Sequence, residues 1–252
     1  MDLNKLYLTK NECYLTGKTM IPKGVMVHST GVNNPNLNRY VGPDDGRLGQ
    51  NDYNNHWNTA CPDGRKVCAH AFIEKLVNGN IATYQTLPWN YVGWHSGSGF
   101  LGKAKNANNT GYIGFEICED RLDDPGYFTL VYREAIELCV YLCRQFGLVT
   151  HNIISHSEGY KLGIASNHAD VMHWFPRHGK SMDTFRAAVK SKLTGTRKFE
   201  SYNIYTVKEG DTLWGIALGQ LGNETRFKEI KRLNGLRSNT IFPEQKLKIP
   251  KE

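Results

Sequence analysis

The most constraining feature of this chain is a histidine-rich segment, residues 153–179, with the sequence IISHSEGYKLGIASNHADVMHWFPRHG. Gly159 and Gly163 interrupt it, which favours a loop over a long helix. Zinc takes imidazole nitrogens and carboxylate oxygens as ligands, and a catalytic zinc keeps three protein ligands and one open position. The segment therefore favours a metal site over a histidine-rich surface loop, with a further ligand coming from elsewhere. The candidate residues within it are His156, His168, Asp170, His173 and His178.

A short apolar run supplies the candidate for that further ligand. Val25, Met26 and Val27 precede a turn-prone Ser-Thr-Gly, so we expect His28 at the end of a buried strand. The residues NIIS, just before His156, predict a second short strand. A strand end holds a side chain rigidly while exposing it to an open face. Two separate strands are thus each expected to deliver a histidine to one site.

A third strand, predicted over residues 112–118 (YIGFEIC), carries a carboxylate. With period-two alternation, Ile113, Phe115 and Ile117 share one face and Glu116 lies on the other. An isolated charge in an apolar strand is costly, so Glu116 needs a partner or a function. A salt bridge to an Arg or Lys is one reading. A general base that faces the metal is the reading we favour.

Two further stretches complete the first part of the chain. Strands over residues 68–75 and 81–87 flank an Asn-Gly-Asn turn, which is a strong hairpin signal. His70 lies in the first of them, and its position is typical of a half-buried strand histidine. Trp94 and His95 stand beside a Gly-Ser loop, where they are candidates for a substrate groove. A purely structural role for the tryptophan is the alternative.

Composition narrows the class of partner. The chain of 252 residues is 40% hydrophobic and 22% charged, which is typical of a globular protein. Its 31 basic and 24 acidic residues give a net charge of +7, which favours an anionic cell wall or membrane surface. The basic residues are scattered and no nucleic-acid motif occurs, so we expect no nucleic-acid partner. No apolar run approaches the length of a membrane span, so we expect no membrane insertion.

The N-terminus and the cysteines indicate the compartment. The first residues lack the apolar core of a signal peptide, so a cytoplasmic protein is expected. Most of the six cysteines are expected to be reduced thiols, because the chain is larger than the usual disulfide scaffold. A Cys61–Cys68 disulfide across their short loop is the less favoured alternative.

The C-terminal part has a different pattern. Residues 194–202 are polar and predict a linker, and residues 203–252 predict a compact β-α-α-β unit. The motifs YTVKEGDTLWGIA, IKRLNGL and IFPEQKLKIP resemble the LysM module, which binds glycans that contain N-acetylglucosamine. The resemblance implies a glycan groove between two loops. Its residues would be Gly210, Asp211, Thr212, Leu213, Asn239, Thr240, Ile241 and Phe242.

Residues 1–193 resemble a second family. The motifs GVMVHSTG, VCAHAFI, GWHSGSG, GFEICED and NHADVMHWFPRHG are similar to those of zinc-dependent type-2 N-acetylmuramoyl-L-alanine amidases, which include many phage endolysins. The resemblance implies an α/β fold with a mixed central β-sheet flanked by helices. It also implies zinc ligands at His28, His156 and Asp170. Val171 follows Asp170 where the family often has proline, so His173 and His168 remain alternatives for the third ligand.

The resemblance also implies a reaction. Zinc would activate a water, Glu116 would move its proton, and His168, which stands where the family often has lysine, would stabilise the oxyanion. The bond cut would join the lactyl group of N-acetylmuramic acid to L-alanine in bacterial peptidoglycan. We expect a monomeric phage or prophage lysin that reaches the wall after release from the cytoplasm. A non-catalytic recognition protein is the alternative, and a glycosidase that pairs Glu116 with Glu119 or Asp120 would leave the histidines unexplained.

Overall fold

The structure, a computed structural model, describes residues 1–34, 48, 56–194, 202–236 and 238–251. The chain divides into two compact units, Met1–Gly195 and Thr196–Glu252. Most of the predicted linker, residues 195–201, lies outside the described residues. The two units are therefore considered separately.

A six-stranded sheet organises the described part of the first unit. β3 and β4 pair antiparallel across the expected hairpin, and the other neighbouring strands pair in parallel. The spatial order is β1-β4-β3-β5-β2-β6. This arrangement confirms the predicted mixed sheet. The strands are β1 (Leu3–Lys5), β2 (Gly24–Asn33), β3 (Ala71–Lys75), β4 (Ile81–Gln85), β5 (Tyr112–Glu119) and β6 (Ile153–Ser155).

The first unit also contains helices, and the longest of them packs against the sheet. The longest, α3, begins after Asp124, whose carboxylate accepts hydrogen bonds from the first-turn backbone, and it ends at Gly147 with φ 65°. Its apolar side packs on Ile113, Phe115 and Ile117 of β5, which confirms the alternation expected for that strand. The helices are α1 (Glu12–Leu15), α2 (Ala107–Thr110), α3 (Pro125–Phe146), α4 (His156–Lys161), α5 (Val171–Trp174) and α6 (Met182–Leu193).

Strand β2 lies between β5 and the edge strand β6, and its side chains alternate between the two faces of the sheet. Val25 and Val27 point into the core beneath α3, whereas Met26 belongs to a separate apolar cluster on the other face. The strand was expected to end at His28, but it continues to Asn33 and loses burial only after Ser29. His28 thus lies inside β2, where it pairs with β5 and directly follows the residues that also pair with β6.

The cysteines are free thiols. Cys61 is exposed whereas Cys68 is fully buried, so the alternative of a Cys61–Cys68 disulfide is wrong for this structure. In the described parts of the chain, none of the helices has both the length and the apolar character needed to cross a bilayer.

The second unit is small and has its own core. Its strands β7 (Tyr202–Thr206) and β8 (Lys246–Pro250) pair antiparallel, and the helices α7 (Leu213–Leu221) and α8 (Phe227–Leu233) lie between them in the chain. This is the β-α-α-β arrangement expected from the sequence. The core side chains include Val207, Leu213, Ile216, Ala217, Ile230, Leu247 and Ile249.

Candidate metal centre and catalytic cleft

The strand order brings three predicted site residues to one place. His28 on β2 is the register partner of Glu116 on β5, so the two side chains stand on neighbouring strands at the same level. On the other side of β2, Val27 pairs with Ser155, the last residue of β6, and His156 follows directly. Because these strands run in parallel, their carboxyl ends meet at the same edge of the sheet.

His156 is held by the start of α4. Ser155 Oγ accepts a hydrogen bond from Glu158 N at 3.1 Å, and a Glu158 carboxylate oxygen accepts one from Ser155 N at 2.9 Å. Glu158 also pairs with Arg186 on α6. Helix α4 lies so close to β2 that a Cβ on Gly159 would come within 2.6 Å of Met26. The imidazole of His156 is therefore placed by a capping box and a tight helix–strand contact.

Asp170 reaches the site through a strained backbone. Its φ of 39° and ψ of −123° are unusual for a residue with a side chain. Such a conformation costs about 1–3 kcal/mol and persists only when the surroundings enforce it. Asp170 occupies the N-cap position of α5, yet its carboxylate makes no capping bond and turns instead toward His28 and His156.

The three side chains converge on one point. Asp170 Oδ2 lies 2.7 Å from His28 Nδ1 and 2.9 Å from His156 Nδ1, and the two ring nitrogens are 3.1 Å apart. Around a tetrahedral zinc with ligand distances of 2.0–2.2 Å, such atoms would stand about 3.3 Å apart. Small outward shifts would therefore suit the metal, and among the described residues these three form the group that could hold an ion.

The electrostatics of the group match its chemistry. Burial lowers the pKa of His28, which favours the neutral ring that a metal requires. Burial opposes ionisation of Asp170, but hydrogen bonds from His156 and His28 outweigh it and lower the pKa of that carboxyl. A neutral imidazole beside a carboxylate is the donor set that zinc takes.

Glu116 is the exceptional carboxyl of the site. Burial, and then the charges of Asp170 and Glu119, raise its pKa well above the ordinary value. Among the described residues its Oε2 is buried without a hydrogen-bond partner. Among the described residues, the salt bridge to an Arg or Lys that was the alternative is therefore not found at this oxygen. A carboxyl with a perturbed pKa and a free oxygen beside a ligand cluster is typical of an acid–base group.

The cluster opens into a cleft of about 510 Å³. Glu116 lines it, as do three residues expected at the site, His168, Trp94 and His95. His168 is exposed and its ring centroid is 4.9 Å from that of His156. Trp94 is half-buried, with Lys103 Nζ 5.9 Å from its ring. The cleft thus brings the predicted catalytic and groove residues together, and their roles stay predictions.

Two other histidines of the segment have different surroundings. Nε2 of His173 lies 2.9 Å from Glu119 Oε1, so this alternative third ligand is engaged outside the cluster. His178 donates to Leu122 O at 2.8 Å and stacks on Phe128 at 4.0 Å. Both side chains therefore have partners outside the cluster of His28, His156 and Asp170.

Five histidine rings form a continuous histidine row: His70, His95, His28, His156 and His168. Successive ring centroids are 5.6, 5.1, 4.9 and 4.9 Å apart. His70 was expected to be half-buried, but it is completely buried, and backbone groups bond both of its nitrogens. This histidine row was not predicted from the sequence.

The predicted glycan residues of the second unit fall into two kinds. Asp211 Oδ2 accepts from Tyr205 and Lys208, and Thr212 caps α7, so both shape their own loop. Leu213 is 1% exposed, so its side chain belongs to the core and only its backbone can meet a glycan. Phe242, in contrast, is 65% exposed. The remaining candidates are Gly210, Asn239, Thr240 and Ile241, of which Ile241 packs partly against the core.

Comparison with known proteins decides the family. Residues 18–176 match the family model described as N-acetylmuramoyl-L-alanine amidase, which is more than half of the chain. The chain belongs to the N-acetylmuramoyl-L-alanine amidase family. Residues 205–250 match the LysM domain. The chain is accordingly a peptidoglycan hydrolase with an amidase unit and a LysM unit.

Solved structures agree on the fold of the amidase unit. "Structure of PlyL" is similar at 19% identity and a TM-score of 0.52, over 75% of this chain and 97% of that one. The Staphylococcus aureus hydrolase AmiA in complex with its ligand is similar at 17% identity and a TM-score of 0.51, over 78% and 86%. A comparison with curated proteins gave no significant sequence match.

Proposed function

We propose that the amidase unit is a zinc enzyme that hydrolyses the amide bond between the lactyl group of N-acetylmuramic acid and the L-alanine of the stem peptide. The observation that carries the proposal is the convergence of His28, His156 and Asp170 beside a carboxyl with a free oxygen, Glu116, on one cleft. A recognition protein would need the cluster at most for binding, and it would have no use for Glu116.

The residues divide the reaction between them. Zinc held by His28, His156 and Asp170 would act as a Lewis acid and activate a water near neutral pH. Glu116 takes a proton from the attacking water as its oxygen adds to the lactyl carbonyl carbon. His168, at the exposed side of the cleft, donates a hydrogen bond to the carbonyl oxygen. Glu116 then protonates the leaving nitrogen, and the C–N bond breaks to give a lactyl carboxylate and a free alanine amine.

The LysM unit is proposed to hold the enzyme on the wall. It would use the two loops around Asp211 and Phe242 to bind the glycan, which raises the effective substrate concentration for the tethered amidase unit. An amidase joined to a wall-binding unit is what a lytic enzyme needs. We infer that the protein acts as a monomeric phage or prophage lysin, for which lysis should follow only once the membrane is breached.

The test is digestion of purified bacterial cell walls, with new N-terminal alanine scored against new reducing sugar. We expect alanine release that stops when a chelator removes the metal and returns with zinc. Glu116→Gln should keep zinc but lose about 10²–10⁴-fold in turnover, the usual contribution of a general acid–base group.

Asp120→Asn is the matched control, because Asp120 is paired with Lys75 outside the cleft lining. It should leave the rate near that of the wild type. New reducing ends, together with a strong loss in the Asp120 variant, would make the enzyme a glycosidase. Wall binding without any product would make it a recognition protein, and a near-wild-type rate for Glu116→Gln would remove Glu116 from its role.

A further inference from the structure

The ring of His28 is bonded at both nitrogens. Its Nδ1 faces Asp170 and His156, whereas its Nε2 lies 3.0 Å from Nδ1 of His95. A histidine that binds a metal through Nδ1 must present a lone pair there and carry its proton on Nε2. The partner of Nε2 therefore decides whether His28 is ready to act as a ligand.

The hydrogen bonds of His95 settle which nitrogen of that partner is protonated. Its Nε2 lies 3.0 Å from the carbonyl oxygen of Tyr112, and a carbonyl oxygen can only accept. A neutral His95 therefore carries its proton on Nε2 and has a lone pair on Nδ1. In the metal-free protein, a proton on Nδ1 of His28 bonds Asp170. When Nδ1 holds a metal instead, the proton of His28 must lie on Nε2, where the lone pair of His95 accepts it.

The surroundings hold His95 in this orientation. Its backbone N donates to Oδ1 of Asn108 at 2.8 Å, and Asn108 is completely buried. The ring lies flat against β5 at Gly114, where a Cβ would come within 2.3 Å of it. A larger residue at that position would push the ring away. Gly114 and Asn108 thus fix the ring against the strand that carries Glu116.

We propose that His95 is a positioning residue for His28. The carbonyl of Tyr112 orients the proton of His95, and Nδ1 of His95 in turn accepts the proton that His28 carries on Nε2 when its Nδ1 holds the metal. His95 was expected to line a substrate groove, and it does line the cleft, where both of its ring nitrogens are bonded within the protein. The proposal rests on the proposed function, because it concerns a zinc ligand.

The first test measures zinc affinity by competition with a chromophoric chelator, using the full chain. His95→Leu removes the acceptor, and we expect zinc binding about 10–100-fold weaker, the usual cost of losing a partner behind a metal-binding histidine. His95→Asn retains an oxygen near the position of Nδ1 and should recover most of the affinity. His70→Gln is the matched control, because His70 is buried in the same histidine row but does not bond His28, and it should bind zinc within a few-fold of the wild type.

The second test needs no variant and therefore survives if His95→Leu fails to fold. In ¹⁵N-histidine-labelled wild-type protein, His95 should carry its proton on Nε2 with or without zinc. In the zinc-loaded form, a ¹⁵N–¹⁵N coupling through the hydrogen bond should link Nε2 of His28 to Nδ1 of His95. A proton on Nδ1 of His95 overturns the proposal, as does a folded His95→Leu that binds zinc like the wild type.

These outcomes separate the two proposals. If the wild type binds no zinc, the proposed function fails, while the protonation of His95 is still measured in the metal-free protein. If the wild type binds zinc and the leucine variant binds it equally, the metal site stands and the positioning role of His95 falls.

Discussion

The two ends of the histidine row show how the same side chain takes different chemistry from its partners. At the buried end, His70 accepts from Gly114 N and donates to Tyr91 O, so main-chain groups use both nitrogens. At the open end, His156 turns Nδ1 toward Asp170 and His28 in the cleft, and His168 beyond it is exposed. A histidine satisfied by the main chain has no lone pair left for a metal.

The two ends of the histidine row also differ in how closely the backbone approaches the rings. His70 packs on Gly93, where a Cβ would come within 2.9 Å of its ring, and His95 packs on Gly114. The close backbone approach leaves His70 completely buried and fixes the ring of His95 at the inner side of the cleft. The open end has a cleft instead of a backbone wall, so its groups remain available to ligands.

The largest effect should come from exchanging one residue at each end. His156→Ala removes one of the three proposed zinc ligands, and a share of the roughly 10–16 kcal/mol typical of zinc sites corresponds to at least about 100-fold weaker zinc binding. His70→Gln should leave zinc binding within a few-fold of the wild type. Chelator competition on both variants, with wall hydrolysis alongside, measures the contrast. Equal losses in the two variants would erase the distinction between the ends.

The second prediction concerns acid stability at the buried end. Burial lowers the pKa of His70 from its ordinary value of 6.5 to about 4. The unfolded chain then takes up a proton below pH 6.5 while the folded chain does not, so stability is complete above pH 6.5 and is lost as the pH falls toward 4. The loss from His70 alone should be roughly 3 kcal/mol.

Urea unfolding of the metal-free protein between pH 4 and pH 7.5 measures that loss. In His70→Gln, the free energy of unfolding should depend less steeply on pH. Some dependence should remain, because burial also lowers the pKa of His95 and His28. An unchanged profile in the variant would show that His70 is protonated without cost in the folded state.

Much of this arrangement follows from the sequence. The apolar run before His28 places that histidine in a strand, and the short strand before His156 delivers the second histidine directly after a neighbouring strand. Period-two alternation puts Glu116 on the face opposite the core. Local patterns such as these are readable because burial and strand period act on adjacent residues. The LysM unit was equally readable, since its turns and caps are local.

The rest depended on contacts between distant residues. Nothing near Asp170 in the sequence announces its positive φ, and the contact of His173 with Glu119 spans 54 positions. His95 was predicted to line a substrate groove from its Gly-Ser surroundings, but its hydrogen bonds to His28 and Tyr112 were not predicted. The register of the strands determines which histidines come together in the fold. A single sequence does not display that register.

The smallest effect should appear at Glu116, where the open cleft meets the buried strand. Because burial raises the pKa of this carboxyl, the folded metal-free protein holds a proton that the unfolded chain releases above about pH 4.3. Stability is therefore greatest at low pH with respect to this group and declines as the pH rises. Glu116→Gln removes the decline and should stabilise the metal-free protein at pH 8 by about 1–2 kcal/mol, the usual cost of one unpaired buried polar group.

Urea unfolding of Glu116→Gln and the wild type at different pH values, with and without zinc, tests whether the charge of Glu116 causes the effect. Near pH 3 the variant and the wild type should unfold at about the same urea concentration, because Glu116 is then protonated in both the folded and the unfolded chain. At pH 8 the addition of zinc should reduce the advantage of the variant, since a cation beside the carboxylate offsets the cost of burying its charge. If the variant is less stable than the wild type at pH 8 without zinc, Glu116 has a stabilising partner. It would then belong with His70 among the residues that support the site rather than with His156 among those that act in it.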